Sequence, residues 1–141
     1  GIAMILLIVA GGGALKQVLI DSGVGKYIAT IMSGTNISPL ILAWVIAAIL
    51  RLSLGSATVA AMTTAGIVLP MISSSSVNPA LMVLATGAGS LIFSHVNDPG
   101  FWMFKEYFGL SIGETMKSRS TMETIISVMG LIGVLIINAI V

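Results

Sequence analysis

The chain has very few charged side chains, and they leave three long stretches without any charge. Residues 27–50, 52–97 and 124–141 contain no Asp, Glu, Lys or Arg, and only 8% of the 141 residues are charged. A soluble domain carries roughly 25% charged residues, because its surface has to be wet. A soluble enzyme, a nucleic-acid-binding protein and a disordered linker are therefore poor interpretations, and the net charge of +1 offers little attraction for a polyanion. The composition predicts an integral membrane protein.

The two ends of the sequence predict a piece of a longer protein. The chain starts with Gly1 inside an apolar run without the charged region of a signal peptide, and it closes on an apolar run at Val141. We expect residues 1–15 to be the end of a span and residues 16–36 to form an amphipathic interfacial helix. The sequence contains no cysteine, which excludes disulfides and thiolate metal sites.

Two short apolar segments joined by small residues predict a helical hairpin over residues 38–72. Ser38 and Pro39 suit a helix start, and the apolar pattern is interrupted at Arg51 and at the tip Gly55–Thr58. Each arm is short against the roughly 20 residues that a membrane crossing needs. A re-entrant hairpin and two tilted full spans joined by a tight turn are both compatible with this spacing.

Residues 79–108 are predicted to form a broken helix that ends in an aromatic segment. Pro79 starts the helix, which we expect to run to Ser94, and the Asp-Pro-Gly sequence at 98–100 is a strong helix breaker. The aromatic residues at 101–108 include Trp and Tyr, which suit a membrane–water interface.

Residues 121–141 form the clearest predicted span. Ser111 and Glu114 have the spacing of a capping box and predict a short polar helix before it. If the hairpin re-enters the membrane, the positive-inside rule predicts that residues 101–119 lie in the cytoplasm and the C-terminus outside.

Three ionisable residues beside helix breaks are candidate functional residues. A charge at membrane depth costs roughly 2.5 kcal/mol or more, so such residues point to function. Arg51 offers a fixed cation for an anionic ligand, whereas Asp98 and His95 are suited to exchange protons near neutral pH. The structural alternatives are that Arg51 reaches the headgroups or pairs with a carboxylate elsewhere in the missing part of the chain, and that Asp98 belongs to an ordinary interfacial turn while His95 caps the helix.

Neutral polar groups at the same two breaks are candidate ligand contacts. Gly55, Ser56 and Thr58 supply hydroxyls and backbone N–H groups at the expected positive end of a helix. Asn97 offers both a donor and an acceptor to a hydroxyl-bearing ligand. The alternative is that these small residues only permit close packing. No phosphate loop, paired-histidine motif or nucleophile elbow is found, and no metal site is predicted.

Longer stretches of the sequence resemble the gluconate permease (gluconate:proton symporter) family. The resemblance is collinear and covers essentially the whole chain, so it is far more specific than a short motif. It is carried by ALKQVLIDSGVG (14–25), RLSLGSATVA (51–60), LATGAGS (84–90), SHVNDPGFWMFKEYF (94–108), IGET (112–115) and ETIIS (123–127).

The resemblance implies an all-α polytopic membrane protein of the ion-transporter superfamily. It implies the C-terminal inverted-repeat half of such a protein, with a re-entrant helical hairpin and a discontinuous helix. The expected function is uptake of gluconate or a related sugar acid across the bacterial inner membrane, coupled to protons and without enzymatic activity or a cofactor. The expected partners are the sugar acid, membrane lipids and the missing N-terminal part of the transporter, and a homo-oligomer is left open.

The same resemblance implies that the hairpin tip and the helix break meet near mid-membrane as half of one substrate site. Asp98, with His95 second, is expected to carry the coupled proton. A passive channel or an accessory membrane subunit is an alternative, and an intramembrane enzyme with Ser56 or Ser94 as nucleophile is less favoured. The residues expected to bind substrate are Arg51, Gly55, Ser56, Thr58, Ser94 and Asn97.

Overall fold

The described part of the chain is mostly helical and contains no strand, in agreement with the predicted all-α class. The structure is a computed structural model, and it describes residues 37–74 and 77–140 together with five isolated positions at 10, 14, 18, 21 and 22. Apart from these positions, the span end predicted at 1–15 and the interfacial helix predicted at 16–36 lie outside the described residues. The elements are α1 (Pro39–Leu54), α2 (Ala57–Ser74), α3 (Pro79–Ser90), α4 (Pro99–Phe108), α5 (Ile112–Thr115), a π-helical turn (Met116–Ser120) and α6 (Thr121–Ile140).

The residues that predict helix starts lie at the observed starts. Pro39 is the first residue of α1, where its missing N–H has no intrahelical role. The side chain of Asn78 accepts a hydrogen bond from the N–H of Ala80 at 2.9 Å and caps α3. Ser111 and Glu114 form the predicted capping box of α5.

Helices α1 and α2 form a hairpin whose corner consists of Gly55 and Ser56. Gly55 has φ of 68°, a left-handed conformation that glycine adopts without steric strain, and its N–H bonds to the carbonyl of Arg51 at 3.0 Å. The hydroxyl of Ser56 accepts from the N–H of Val59 at 3.4 Å and caps α2. The 16 residues of α1 extend about 24 Å, less than a hydrocarbon core of roughly 30 Å. Re-entry of this hairpin into the membrane stays a prediction.

Helix α3 ends before Leu91, whereas the sequence predicts a helix up to Ser94. The N–H groups of Leu91 and Ile92 bond to carbonyls three residues back, at 3.3 and 3.2 Å, so the last turn is tightened. Phe93 then has φ of 41°, which is incompatible with a continuing right-handed helix. The segment 94–98 is therefore not helical, and the side chains of Ser94 and Asp98 are buried between the helices.

One helical run of 29 residues joins α5, the π-helical turn and α6. In the described part of the chain, it is the one helix that is long and apolar enough to cross a membrane. The N–H of Thr121 bonds to the carbonyl of Met116, five residues back, as the π-helical geometry requires. The span predicted over 121–141 is thus the C-terminal portion of a longer helix.

Helix α3 lies at the centre of the packing and contacts α1, α2 and α6. All four helices contribute to one hydrophobic core, so the short helices are held by a shared interior. The buried core side chains are Leu40, Ala43, Val68, Met71, Leu81, Met82, Ala85 and Val134.

Two glycines allow close approach between these helices. A Cβ on Gly89 of α3 would lie 2.4 Å from the carbonyl oxygen of Trp44, and a Cβ on Gly130 of α6 would lie 2.8 Å from the Cβ of Ala88. The indole N–H of Trp44 donates to the hydroxyl of Ser127 at 3.2 Å, which ties α1 to α6. Small residues at helix contacts are the usual means of tight packing in membrane proteins.

We expect Gly89→Ala to lower the free energy of unfolding by about 1–3 kcal/mol, because the added methyl group overlaps the backbone of α1. The matched control is Gly87→Ala on the same helix, where no described atom lies within 4 Å of the added Cβ. Because alanine favours helix over glycine by about 1 kcal/mol, that control should be neutral or slightly stabilising. Thermal unfolding of the purified full-length protein in detergent measures both, and equal melting temperatures would contradict this account.

Candidate functional site

The corner of the α1–α2 hairpin contacts the segment that follows α3. A Cβ on Gly55 would lie 2.2 Å from the carbonyl oxygen of Asn97, so the two backbones touch there. The side-chain amide of Asn97 donates to the carbonyl of Leu52 at 2.8 Å, which satisfies one of the free carbonyls at the end of α1. The structure therefore brings together the two helix breaks that the sequence singles out.

Arg51 is buried at the end of α1 and points its guanidinium across this contact. Its side chain is 3% exposed, and its Nη2 lies 2.6 Å from Oδ2 of Asp98 and 3.4 Å from Oε2 of Glu123. An uncompensated charge at this depth would be strongly unfavourable, so the two carboxylates account for its burial. Arg51 thus pairs with carboxylates, but both partners lie within this chain and not in the missing part where the structural alternative placed them.

Asp98 is held by three kinds of donor. Besides the guanidinium of Arg51, its carboxylate accepts from the hydroxyl of Ser94 and from the N–H of Gly100, the latter at 2.8 Å. The bond to Gly100 caps α4, where a negative charge also interacts favourably with the helix dipole. Asp98 thus joins the end of α1 to the start of α4.

Arg119 and Glu123 complete the charged site, and they were not among the predicted site residues. Nη2 of Arg119 lies 2.7 Å from Oε1 of Glu123 and 3.9 Å from Oδ2 of Asp98. Its Nε donates to the hydroxyl of Ser94 at 3.3 Å, and its guanidinium lies 5.7 Å from the centre of the Phe104 ring. The sequence signal that could have identified the pair is its i, i+4 spacing at the polar end of an apolar helix.

We call Arg51, Asp98, Arg119 and Glu123 the ion cluster. It contains two guanidinium groups and two carboxylates, and it draws them from α1, the segment before α4, the π-helical turn and α6. Ser94 lies at its centre, buried, with its backbone carbonyl bonded by the hydroxyl of Ser120. The two positive charges and the two negative charges cancel, so the ion cluster has no net charge.

Five predicted site residues lie outside the ion cluster: Gly55 and Asn97, which meet at the contact between the two breaks, and Ser56, Thr58 and His95. Ser56 is occupied as the cap of α2, and Thr58 is exposed on the first turn of that helix. His95 is half-buried, with its Nδ1 3.1 Å from the carbonyl oxygen of Phe93 and its ring 5.7 Å from the Phe93 ring. The structure thus groups Arg51, Ser94 and Asp98 with two residues that were not predicted. The roles assigned to all the predicted site residues stay predictions.

No group of three His, Asp or Glu side chains suited to a metal ion is present among the residues that the structure describes. The Nε of Arg51 is an unused donor, because it is buried and has no hydrogen-bond partner in the described part of the chain. What the site can offer a ligand is therefore guanidinium N–H groups, hydroxyls and an amide. These groups suit an oxygen-rich anion.

We expect Gly55→Ala to be far more damaging than Gly109→Ala. Both glycines have a left-handed backbone conformation, with φ of 68° and 62°, so alanine lowers the free energy of unfolding by about 1–2 kcal/mol at either position. Only at Gly55 does the added Cβ also overlap Asn97, whereas no described atom lies within 4 Å at Gly109. Thermal unfolding of the full-length protein should show the larger loss for Gly55→Ala. Similar losses of thermal stability in the two variants would mean that the contact between Gly55 and Asn97 contributes nothing to the stability of the fold.

Comparisons with known proteins identify similar sequences along the whole chain. The family model described as GntP family permease matches residues 1–140. The chain is 66% identical over 139 residues to the Gnt-II system L-idonate transporter of Escherichia coli (strain K12), which covers 99% of this chain and 32% of that protein. It is 66% identical over 140 residues to a high-affinity gluconate transporter of the same organism, with the same coverage. No solved structure gives a significant match.

A gluconate permease of Bacillus subtilis (strain 168) is 64% identical over 140 residues, which covers 99% of this chain and 31% of that protein. The chain spans about a third of the length of the curated relatives it matches. Their names are those of transporters and permeases rather than enzymes. The chain is a membrane protein segment that belongs to the GntP permease family.

Proposed function

We propose that this chain is the C-terminal part of a proton-coupled carrier that takes gluconate or a related sugar acid across the bacterial inner membrane. The support from relatives is that two of them are named for gluconate and one for L-idonate. Both substrates are sugar acids that present one carboxylate and several hydroxyls. In this proposal the protein crosses the membrane several times, and the α1–α2 hairpin re-enters it.

The observation that carries the proposal is the ion cluster at the contact between two helix breaks. A buried Arg51 with an unused Nε donor beside Asn97 and Ser94 suits the oxygens of a polyhydroxylated carboxylate. Arg51 would attract the carboxylate, and Asn97, with Thr58 at the start of α2, would contact hydroxyls. The coupled proton would be carried by a titratable side chain of this site, and Asp98 and His95 are the residues predicted from the sequence.

The rival functions make different demands on the same residues. An intramembrane enzyme would need Ser56 or Ser94 as nucleophile and His95 with Asp98 as an acid–base pair. The hydroxyl of Ser94 does donate to Asp98, but that carboxylate is also bound by Arg51, and Nδ1 of His95 lies 3.1 Å from the carbonyl oxygen of Phe93. The names of the relatives also do not favour an enzyme. A passive channel would not need protons, and an accessory subunit would not carry substrate.

The deciding experiment is uptake of labelled gluconate by the purified full-length protein in liposomes. With an inward proton gradient, we expect gluconate to accumulate above its equilibrium level, and a protonophore should abolish the accumulation. Flux that only runs downhill and ignores the gradient would instead support a channel. If the protein carries no flux and only binds a partner transporter, it is an accessory subunit.

We expect Thr58→Val to raise the KM for gluconate about fivefold, because one hydrogen bond contributes on the order of 1 kcal/mol. The side chain is exposed, and valine keeps its shape, so the effect should come from the lost hydroxyl. Thr121→Val is the matched control, since its hydroxyl bonds to the carbonyl of Met116 within its own helical run. An unchanged KM in Thr58→Val would remove Thr58 from the substrate site.

A further inference from the structure

The ion cluster has balanced charges, and this balance constrains what can bind to it. Its two guanidinium groups and two carboxylates are 3–23% exposed, so they share a site with little water. Adding a monoanionic ligand would leave one net negative charge in that site, which is costly in a poorly solvated environment. One proton on one of the two carboxylates restores neutrality.

The two carboxylates differ in what a proton would displace. Asp98 accepts from Arg51, from the hydroxyl of Ser94 and from the N–H of Gly100, and the last bond also caps α4. A proton on Asp98 would weaken all of these contacts at once. Among the described residues, the carboxylate of Glu123 forms ion pairs with two arginines, Arg119 at 2.7 Å and Arg51 at 3.4 Å. Protonation of Glu123 therefore disturbs less of the fold.

Protonation of Glu123 would also release the groups that a substrate carboxylate needs. Its carboxylate takes a proton from water and becomes neutral, and the N–H groups of Arg119 and Arg51 lose their charged acceptor. The side chain of Arg119 is 23% exposed, the highest value in the ion cluster, so it is the cation that an incoming anion reaches first. The buried Nε of Arg51 is a further donor without a described partner.

No other titratable group in the described helices packed around Glu123 competes for this role. Helices α2 and α3 contain no ionisable side chain, and α1 contains only Arg51. On α4, Lys105 pairs with Glu106 at 2.8 Å, and Tyr107 is 81% exposed. The remaining charged groups of the last helical run, Glu114 and Lys117, are exposed.

We propose that Glu123 takes the coupled proton and that Arg119, together with Arg51, takes the substrate carboxylate in its place. One proton then accompanies each monoanionic sugar acid. This inference rests on the proposed function and assigns its coupling residue to α6, whereas the sequence suggests Asp98 and His95.

The test is the pH dependence of gluconate binding to the purified full-length protein in detergent. For the wild type, the Kd should rise about tenfold per pH unit in the range where each anion binds together with one proton. In Glu123→Gln, whose side chain mimics the neutral acid, the Kd should no longer depend on pH. Exchange of internal for external gluconate should persist in liposomes, but proton-driven accumulation should be lost. Glu106→Gln, an exposed acid outside the ion cluster, should behave as the wild type does.

A second measurement avoids variants and covers the case in which Glu123→Gln does not fold. When gluconate is added to the wild-type protein in weak buffer, the protein should take up one proton for each gluconate molecule bound, which a pH indicator measures. The absence of proton uptake would overturn the inference. A Kd that still depends on pH in a folded Glu123→Gln variant would also overturn the inference. So would the loss of this pH dependence in Asp98→Asn while it persists in Glu123→Gln. If the wild type fails to bind gluconate at all, the proposed function itself fails, and this result is distinct from the others.

Discussion

The ion pair between Arg51 and Asp98 connects the two places where the chain leaves helical geometry. Arg51 lies in the last turn of α1, Asp98 caps α4, and the two residues are 47 positions apart in the sequence. In a protein with so few charges, a guanidinium inside the helix packing has to be compensated, and removing one partner of a buried pair typically costs about 3–5 kcal/mol. Glu123 and Arg119 extend the pair to the last helical run. The arrangement of the corner, the break and α6 thus depends on one set of charges.

Small residues make this arrangement sterically feasible. Gly55 turns the chain at the end of α1 and leaves room for the backbone of Asn97. Gly89 and Gly130 bring α1 and α6 close to α3, so that side chains from separate helices reach the same point. Electrostatic pairing and close packing therefore support each other, because the charges approach within hydrogen-bond distance only where the backbones also approach.

The sequence predicts the local features well, because they depend on neighbouring residues. The helix starts at Pro39 and Pro79, the capping box at Ser111 and the breaker at Asp98 are each encoded within about four positions. The importance of Glu123 is not encoded locally, since its contact with Arg51 crosses 72 positions. Read alone, Glu123 is an ordinary polar residue at the start of a span. The early end of α3 and the continuity of the last helix are likewise decided by hydrogen bonds that residue spacing does not reveal.

The π-helical turn at Met116–Ser120 sets the rotational phase of the last helix. A π-helical turn accommodates one residue more than an α-helical turn, and one residue corresponds to about 100° of rotation. The π-helical turn therefore sets the angle, about the helix axis, between the exposed face of α5 and the face of α6 from which Glu123 contacts Arg51. If the same number of residues formed a regular α-helix here, the parts before and after the turn would be rotated by about 100° against each other. The length of this short segment is thus as much a determinant of the charged site as the identity of its side chains.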